Sequence, residues 1–142
     1  MKDASLPLNN AIADAIVSRL DTEGYSSPSD RVIVDPEPDT ALPYVVIGQG
    51  TGIPYRTKSH DGGEYTHTFT AWATTFTEAS QIADYAQQAV TDRSAPLSVT
   101  GFDCALAIQD FRGGPIREKA PGTASSWYWG VPIRIRYRLI EQ

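Results

Sequence analysis

Two histidines are the side chains of this sequence best suited to acid–base or metal chemistry. His60 is followed by Asp61 in a glycine-containing stretch, and His67 lies in an alternating segment typical of a β-strand. No nucleophile-bearing motif accompanies either histidine, and their spacing matches no familiar zinc site. We expect His67 to be a partly buried, hydrogen-bonded side chain and His60 to be a solvated loop residue. The sequence therefore predicts no catalytic residue, no metal site and no bound cofactor.

Two further features resemble reactive sites only superficially. The segment 48–52 has the glycine content of a phosphate-binding loop, but it lacks the following Lys-Ser/Thr pair and helix, so a turn at a strand end is the better interpretation. Cys104 alternates with apolar residues and is expected to be a small buried hydrophobe rather than a nucleophile. It is the single cysteine of the sequence, which excludes an intrachain disulfide. Together these features argue against an enzyme.

The most distinctive charged pattern is a row of arginines near the end of the sequence. Residues 127–140 alternate, with apolar residues at one set of positions and Arg134, Arg136 and Arg138 at the other. Residues two apart on a strand point to the same face, so the three guanidinium groups are expected to lie together, away from the core. Three interpretations stay open. The arginines could pair across strands with residues such as Asp103 or Glu64, contact a neighbouring subunit, or face DNA.

Two helices and four main strands are predicted to position these side chains. Ser5 and Pro7 are expected to begin the first helix, which ends near Gly24. The second begins at a Thr75–Glu78 capping box and is expected to pack closely on the sheet. It does so through a narrow stripe of small and aliphatic residues: Ala79, Ile82, Ala83, Ala86, Ala89 and Val90. The order α-β-β-α-β-β, with one further short strand possible at 31–34, predicts an α+β fold with a mostly antiparallel sheet and both helices on one face.

Three finer expectations concern the strands and loops. Residues 102–111 are expected to place Phe102, Cys104, Leu106 and Ile108 on one face. Pro132 cannot donate to a ladder, so the last strand is expected at a sheet edge or bulged there. Residues 1–142 are expected to form a single domain with long glycine- and proline-containing loops at about 50–63 and 112–126.

Composition and charge narrow the class of protein. A chain of 142 residues with 41% hydrophobic residues is typical of one globular domain. A net charge of −5 argues against a dedicated nucleic-acid binder. Residues 1–50 hold eight acidic and three basic side chains, whereas residues 101–142 hold four and six. Either this is scattered surface charge, or an acidic surface of one copy meets a basic surface of the next. No membrane-spanning run and no signal peptide is evident, which indicates a soluble cytoplasmic product.

The order of four short motifs resembles the tail completion, or tail terminator, family of long-tailed (siphovirus-type) bacteriophages and related gene-transfer particles. The first motif is a Leu-Pro-Tyr-Val-Val-Ile strand at 42–47, followed by a His-containing strand and a Thr/Ala-rich helix at 67–90. A strand ending in Gln-Asp-Phe-Arg follows at 109–112, and the last strand has a Tyr-x-Gly start at 128–130. The motifs span nearly the whole chain. Because each motif is short, the resemblance rests on their order.

The resemblance implies a structural protein without catalytic residues. It implies a hexameric ring that sits on the finished tail tube, stops tube polymerisation and presents a surface to the neck. The implied partners are further copies of the chain, the major tail tube protein and head-neck stopper or adaptor proteins, with DNA only passing through and no membrane contact. Such a protein is assembled in the host cytoplasm and ends in the virion. The candidate contact residues are Arg134, Arg136, Arg138, Arg112, Arg117, Lys119, His60 and Asp61.

Two other functions are open on the sequence alone. The first keeps the same particle but makes the protein a head-to-tail adaptor or another neck protein. The second is a small-molecule binding module or enzyme with a ferredoxin-like sheet and helices. A cluster of polar groups converging on an apolar pocket would favour this second alternative.

Overall fold

A computed structural model describes residues 3–25, 32–33, 43–48, 50–56, 61–119 and 127–142, with all side chains except those of 32–33, 54–56 and 119. The helices are α1 (Ser5–Thr22) and α2 (Phe76–Thr91). The strands are β1 (Val32–Ile33), β2 (Tyr44–Ile47), β3 (Thr51–Arg56), β4 (Asp61–Ala73), β5 (Ser98–Val99), β6 (Phe102–Arg112), β7 (Ile116–Lys119) and β8 (Trp127–Glu141). The predicted α+β class is confirmed. Within the described part of the chain, no helix is long and apolar enough to cross a membrane.

The sheet is built around the long strands β4 and β8. Its strand order is β1-β2-β4-β8-β6-β5, with β3 added to β4 and β7 added to β8. Every described pair is antiparallel except β1–β2. The register sets Tyr65 opposite Tyr137 and His67 opposite Ile135, so the alternate residues of both strands fall on one buried face. The predicted alternation of β8 is confirmed, and His67 falls on the buried face of β4, as expected.

Both helices lie on that buried face. Helix α2 begins where Thr75 Oγ1 accepts a hydrogen bond from the Glu78 N–H at 3.2 Å, as the capping pattern predicts. Its residues Ala79, Ala83 and Ala86 are fully buried, because their small side chains let the helix lie close to the strands. The core joins the two helices to the inner face of the sheet. Its largest fully buried side chains are Leu8, Ile12, Ile16, Leu20, Val45, Ile47, Phe69, Ile82, Ile133, Ile135, Tyr137 and Leu139.

The start of α1 differs from the expectation. The sequence predicts Ser5 as the cap, but Ser5 is the first helical residue, and its N–H and hydroxyl donate to Asp3 Oδ1 at 2.9 and 2.7 Å. The carboxylate of Asp3 thus takes the part predicted for the serine, because it reaches the exposed donors of the first turn. Gly24 lies just after the helix with φ at +92°, the conformation that favours glycine at a helix C-terminus.

The predicted loop at 50–63 is wrong over most of its length. Strand β3 pairs with the start of β4 from Thr51 opposite Thr66 to Arg56 opposite Asp61. The glycines that suggest a loop instead make room for an aromatic ring: a Cβ on Gly52 or Gly63 would stand 2.7 or 2.8 Å from the ring of Tyr65. The loop predicted at 112–126 likewise contains β7, and residues 57–60 and 120–126 lie outside the described residues.

Strand β6 departs from the predicted alternation. Its register against β8 shifts between Cys104 and Leu106, and again between Gln109 and Phe111. Cys104 is opposite Leu139 and packs against the core, whereas Leu106 is opposite Arg138 and Ile108 opposite Arg136. The expectation of one shared face is therefore wrong, because one extra residue in a strand moves the following side chains to the other side of the sheet.

The position of β8 also differs from the expectation. Pro132 suggested an edge or a bulge, but β8 lies between β4 and β6, and its register against β4 continues through Pro132 without a shift. The carbonyl of Pro132 accepts a hydrogen bond from the Gly113 N–H at 2.9 Å, and Gly113 lies between the end of β6 and the start of β7. In an antiparallel sheet, the backbone N–H and C=O of one residue point towards the same neighbouring strand. The missing N–H of Pro132 therefore faces the break between β6 and β7.

Candidate assembly surface

The face of the sheet opposite the helices, called here the open face, carries three parallel rows of side chains. Arg134, Arg136 and Arg138 of β8 form the middle row. On the β4 side, they are opposite a polar row: Thr68, Thr66 and Glu64. On the β6 side, they are opposite an apolar row: Phe111, Ile108 and Leu106. The register of three strands thus places a basic row between a polar and an apolar one.

The three arginines differ in their partners. Arg134 Nε donates to Asp110 Oδ1 at 2.8 Å, and its guanidinium lies 5.4 Å from the ring centroid of Phe111. Arg138 Nη2 donates to Glu64 Oε1. Arg136 makes no hydrogen bond or ion pair with any side chain that the structure describes. The arginines at both ends of the basic row therefore have a hydrogen-bonded carboxylate partner, and the middle one has none among the described side chains.

The charge of this row affects the carboxylate beside it. The hydrogen bond from Arg138 is the main cause that lowers the pKa of Glu64, and the charge of Arg136 acts in the same direction. Asp103, which the sequence offered as another partner, instead accepts a hydrogen bond from Gln142 Nε2 at 2.9 Å. The ion pairs of Arg134 and Arg138 are exposed to solvent, and exposed pairs contribute little, so we expect the arginine row to add little to the stability of the subunit.

Exposed apolar side chains are concentrated on the open face. Ile53 is 71% exposed opposite Glu64, and Ile116 is 41% exposed opposite Gly130. With Ile108 and Phe111, they make up four of the seven exposed large hydrophobic residues in the described part of the chain. Ile108 and Phe111 lie in one row beside the arginines, and exposed apolar side chains next to charged ones are typical of a protein interaction site. Sequence reasoning missed Leu106, Ile108 and Phe111 as surface residues, because no local signal marks the register shifts of β6.

The other candidate residues are not brought to this face. Arg112 Nη1 donates to Asp84 Oδ1 of α2, which places its guanidinium on the helix side. Arg117 lies over the ring of Trp127 at 4.1 Å and near that of Trp129 at 5.6 Å. Asp61 begins β4 opposite Arg56. His60 and the side chain of Lys119 lie outside the described residues.

Arg117 belongs to a small aromatic cluster at one end of the sheet. The ring of Trp129 lies 6.1 Å from that of Phe76, the first residue of α2. Phe76 is 46% exposed and Trp127 is 37% exposed, so the cluster is partly open to solvent. Arginine stacked on tryptophan contributes on the order of 0.5–1 kcal/mol at exposed sites. This end of the sheet is a second, smaller apolar surface.

His67 is buried among apolar groups and has no access to a substrate. Only 3% of its surface is exposed, and its Nδ1 has no hydrogen-bond partner among the described residues. Its ring meets that of Tyr137 edge-on at 6.1 Å, and the hydroxyl of Tyr137 has no described partner either. Burial lowers the pKa of His67 and raises the pKa of Tyr137. The predicted burial of His67 is confirmed, but the predicted hydrogen bond is not found.

The grooves that the structure describes do not bring together polar side chains of the kind that a catalytic or ligand-binding site needs. The larger one, of about 430 Å³, lies between the end of α2 and the outer side of β6. Cys104 lines it, and burial raises the pKa of this thiol, which disfavours the reactive thiolate. Asp92 also lines it, but its carboxylate accepts hydrogen bonds from the N–H and hydroxyl of Ser94. No group of three potential metal ligands occurs among the described side chains.

Comparisons with known proteins agree with this architecture. The sequence profile of the family described as "Tail completion protein gp17" matches residues 14–111. Tail completion protein gp17 of Bacillus phage SPP1 is 33% identical over 96 residues, which cover 66% of this chain and 70% of that protein. The profile ends within β6, so β8 and its arginine row lie beyond the matched residues.

A solved structure shows the same fold. A chain in the virion of a native gene transfer agent particle superposes with a TM-score of 0.65 at 12% identity, covering 90% of this chain and 93% of that one. The structure of bacteriophage SPP1 gp17 superposes less closely, with a TM-score of 0.47 at 23% identity and with 92% and 89% covered. On the evidence of the profile and the sequence identity, the chain belongs to the tail completion protein gp17 family, whose members are structural proteins of phage tails.

Proposed function

We propose that this protein forms a ring that caps the phage tail tube, stops its polymerisation and joins the tail to the head. The observation that carries the proposal is the open face, where an arginine without a described partner lies beside exposed apolar side chains on a sheet that is otherwise well packed. Such a surface is suited to binding protein rather than a small molecule. The protein acts by binding, without a catalytic residue or a cofactor.

A ring requires each copy to present two different surfaces that fit each other. The distribution of charge supports this arrangement. The two helices hold four carboxylates and one arginine, whereas β8 holds three arginines and one glutamate. The helices and the arginine row lie on opposite sides of the sheet, so the excess of acidic side chains on the helices and the excess of basic ones on β8 are on different sides of the subunit. Complementary charge of this kind orients copies head to tail.

The ring is hexameric in this proposal, as the family resemblance implies. One rim contacts the major tail tube protein, and the other contacts the stopper or adaptor proteins of the neck. Arg117, Lys119, His60 and Asp61 are candidates for these rim contacts. DNA passes through the centre without being bound, which suits a net charge of −5. The ring assembles in the host cytoplasm and becomes part of the virion.

Electron microscopy of tail tubes assembled with and without the protein tests this function. We expect six-fold rings at one end of each tube and tubes of uniform length, and overlong tubes when the protein is left out. Tubes of the same length with and without the protein would contradict capping. Binding to heads but never to tube ends would instead indicate a head-to-tail adaptor.

A further inference from the structure

The arginine row of the open face is matched in length and charge by the acidic half of another surface of the same chain, the exposed side of α1. We propose that this side of α1 in one copy docks on the open face of the next copy, with Asp14 opposite Arg136. The inference rests on the proposed ring and specifies its subunit contact.

The exposed side of α1, called here the α1 stripe, is defined by five residues spaced three or four apart, which places them along one side of a helix. They are Leu6, Asn10, Asp14, Ser18 and Asp21. Leu6 is 69% exposed at one end of the stripe. The basic residue of this helix, Arg19, is engaged elsewhere, with Glu23 at 3.1 Å and Gln88 at 2.9 Å. The α1 stripe is therefore acidic and partly apolar.

The carboxylates of the stripe have no local partner. Neither the Asp14 nor the Asp21 side chain makes a hydrogen bond or ion pair with a residue that the structure describes. Arg136 on the open face likewise has no partner among the described side chains. The arginines on either side of it already have carboxylate partners. A contact between copies gives Asp14 and Arg136 the partner that each lacks within its own subunit. Leu6 then packs on the apolar row of β6, where Ile108 is 36% and Phe111 is 49% exposed.

The acidic half of the stripe is similar in length to the arginine row. From Asp14 to Asp21, the stripe extends about 10 Å at a helical rise of roughly 1.5 Å per residue. On the open face, the arginine row extends about 13 Å from Arg134 to Arg138 at a strand rise of roughly 3.3 Å per residue. The acidic half of the stripe therefore fits along the arginine row of the open face.

The alternative of two open faces meeting each other is disfavoured by charge. A two-fold contact of that kind would bring the arginine rows of both copies together, and like charges in an interface cost several kcal/mol. Docking of the α1 stripe on the open face has no such cost. Because the two surfaces lie on opposite sides of the subunit, each copy has one of each surface free for a further neighbour. The contact therefore repeats and is able to close into a ring.

Two charge reversals test the contact. Arg136→Glu alters the open face, and Asp14→Arg alters the α1 stripe. Alone, each variant should fold normally but form rings at least about 100-fold less readily than the wild type, since every interface then juxtaposes like charges. Ring formation is measured by light scattering and by electron microscopy, each with and without tail tubes.

Mixing the two variants in equal amounts gives the decisive measurement. In a ring where the two variants alternate, opposite charges meet at every contact. At one kind of contact, the new glutamate of an Arg136→Glu copy meets the new arginine of an Asp14→Arg copy. At the other kind, the unchanged Arg136 of an Asp14→Arg copy meets the unchanged Asp14 of an Arg136→Glu copy. The mixture should therefore form rings that neither variant forms alone. A chain that carries both substitutions should recover ring formation as well.

Arg93→Glu is the matched control. Arg93 is exposed after α2 and is not among the residues that define either surface, and its reversal changes the net charge by the same amount as Arg136→Glu. We expect this variant to form rings like the wild type. Failure of Arg93→Glu would show that net charge rather than this contact controls assembly, and would overturn the inference.

The remaining outcomes separate the contact from the function. Rings formed by Arg136→Glu alone, or a mixture of folded variants that stays monomeric, overturn this contact and leave the proposed function standing. A wild-type protein that forms no ring even on tail tubes overturns the proposed function and this contact with it.

Discussion

The helix-covered face and the open face of the sheet are formed by alternate residues of the same strands, yet their chemistry is opposite. On β8, Ile133, Ile135 and Tyr137 are fully buried, while Arg134 and Arg136 between them are exposed. On β4, buried Phe69 alternates with the partly exposed threonines. The first face stabilises the subunit through apolar burial. We expect the second to contribute little to stability, and it is the face used by the proposed subunit contact. In that proposal one strand carries both tasks, separated by the direction of its side chains.

The largest expected difference between the faces concerns a buried aromatic ring. Phe69→Ala should lower the free energy of unfolding by about 3–5 kcal/mol, since it leaves a cavity where no surface is exposed. The neighbouring Thr68→Ala on the open face should change it by less than about 0.5 kcal/mol. Urea denaturation followed by circular dichroism measures both. Similar losses for the two variants would remove the distinction between the faces.

The next effect concerns the alanine stripe of α2. Ala83→Leu or Ala86→Leu should lower the free energy of unfolding by about 1–3 kcal/mol, because a larger side chain pushes the helix away from the sheet. Gln81→Leu, on the exposed side of the same helix, is the control and should leave stability nearly unchanged. An unaltered melting temperature in the alanine variants would mean that the covered face tolerates overpacking.

A smaller effect is expected from the pH dependence of the covered face. Burial lowers the pKa of His67, whereas in the unfolded chain the imidazole protonates near its ordinary pKa of about 6.5. Below about pH 6.5, the unfolded state therefore binds more protons than the folded state. The stability contributed by neutral His67 is complete above that pH and is lost as the pH falls towards the lowered pKa, by at most about 1.4 kcal/mol per pH unit.

Urea denaturation at neutral pH and at successively lower values measures this loss. His67→Leu should flatten the pH dependence over that range. His60→Gln is the matched control, since its histidine is expected to be solvated, and it should retain the dependence of the wild type. An equal slope in the wild type and in His67→Leu would show that other groups cause it.

The smallest effect is expected on the open face itself. Arg136→Ala should change the free energy of unfolding by no more than about 0.5 kcal/mol, because Arg136 has no described partner to lose. Arg134→Ala removes an exposed ion pair and should cost about 0–1 kcal/mol. Thermal melts of the isolated protein measure both. A loss above about 2 kcal/mol in either variant would place the arginine row among the determinants of the fold.

Much of this architecture was predictable from local sequence. The Thr75–Glu78 pattern located the start of α2, the alternation at 127–140 indicated the buried face of β8, and the expected burial of His67 agrees with that of β4. The arginine row followed from the same alternation. These features depend on residues close in sequence, through helix capping and the two-residue period of a strand. Such patterns are readable without knowledge of any partner strand.

Other features depended on segments far apart in the chain. The sequence could not reveal the register shifts that place Leu106 and Ile108 beside the arginines, since a shift exists only relative to β8. Nor could it reveal that Pro132 lies in a central strand, opposite the break between β6 and β7. Strand order and register are decided by pairing between distant segments, which no local pattern records.

The basic residues of the last third show the same division most clearly. In sequence, Arg112 and Arg136 are equivalent candidates for a contact, each at the end of or within a predicted strand. In the fold, Asp84 of α2 binds Arg112 on the helix side, while Arg136 is left without a described partner on the open face. The sequence by itself determined that a basic row exists. Only the tertiary structure decided which arginine is available to another molecule, because the carboxylates that neutralise the others come from distant elements.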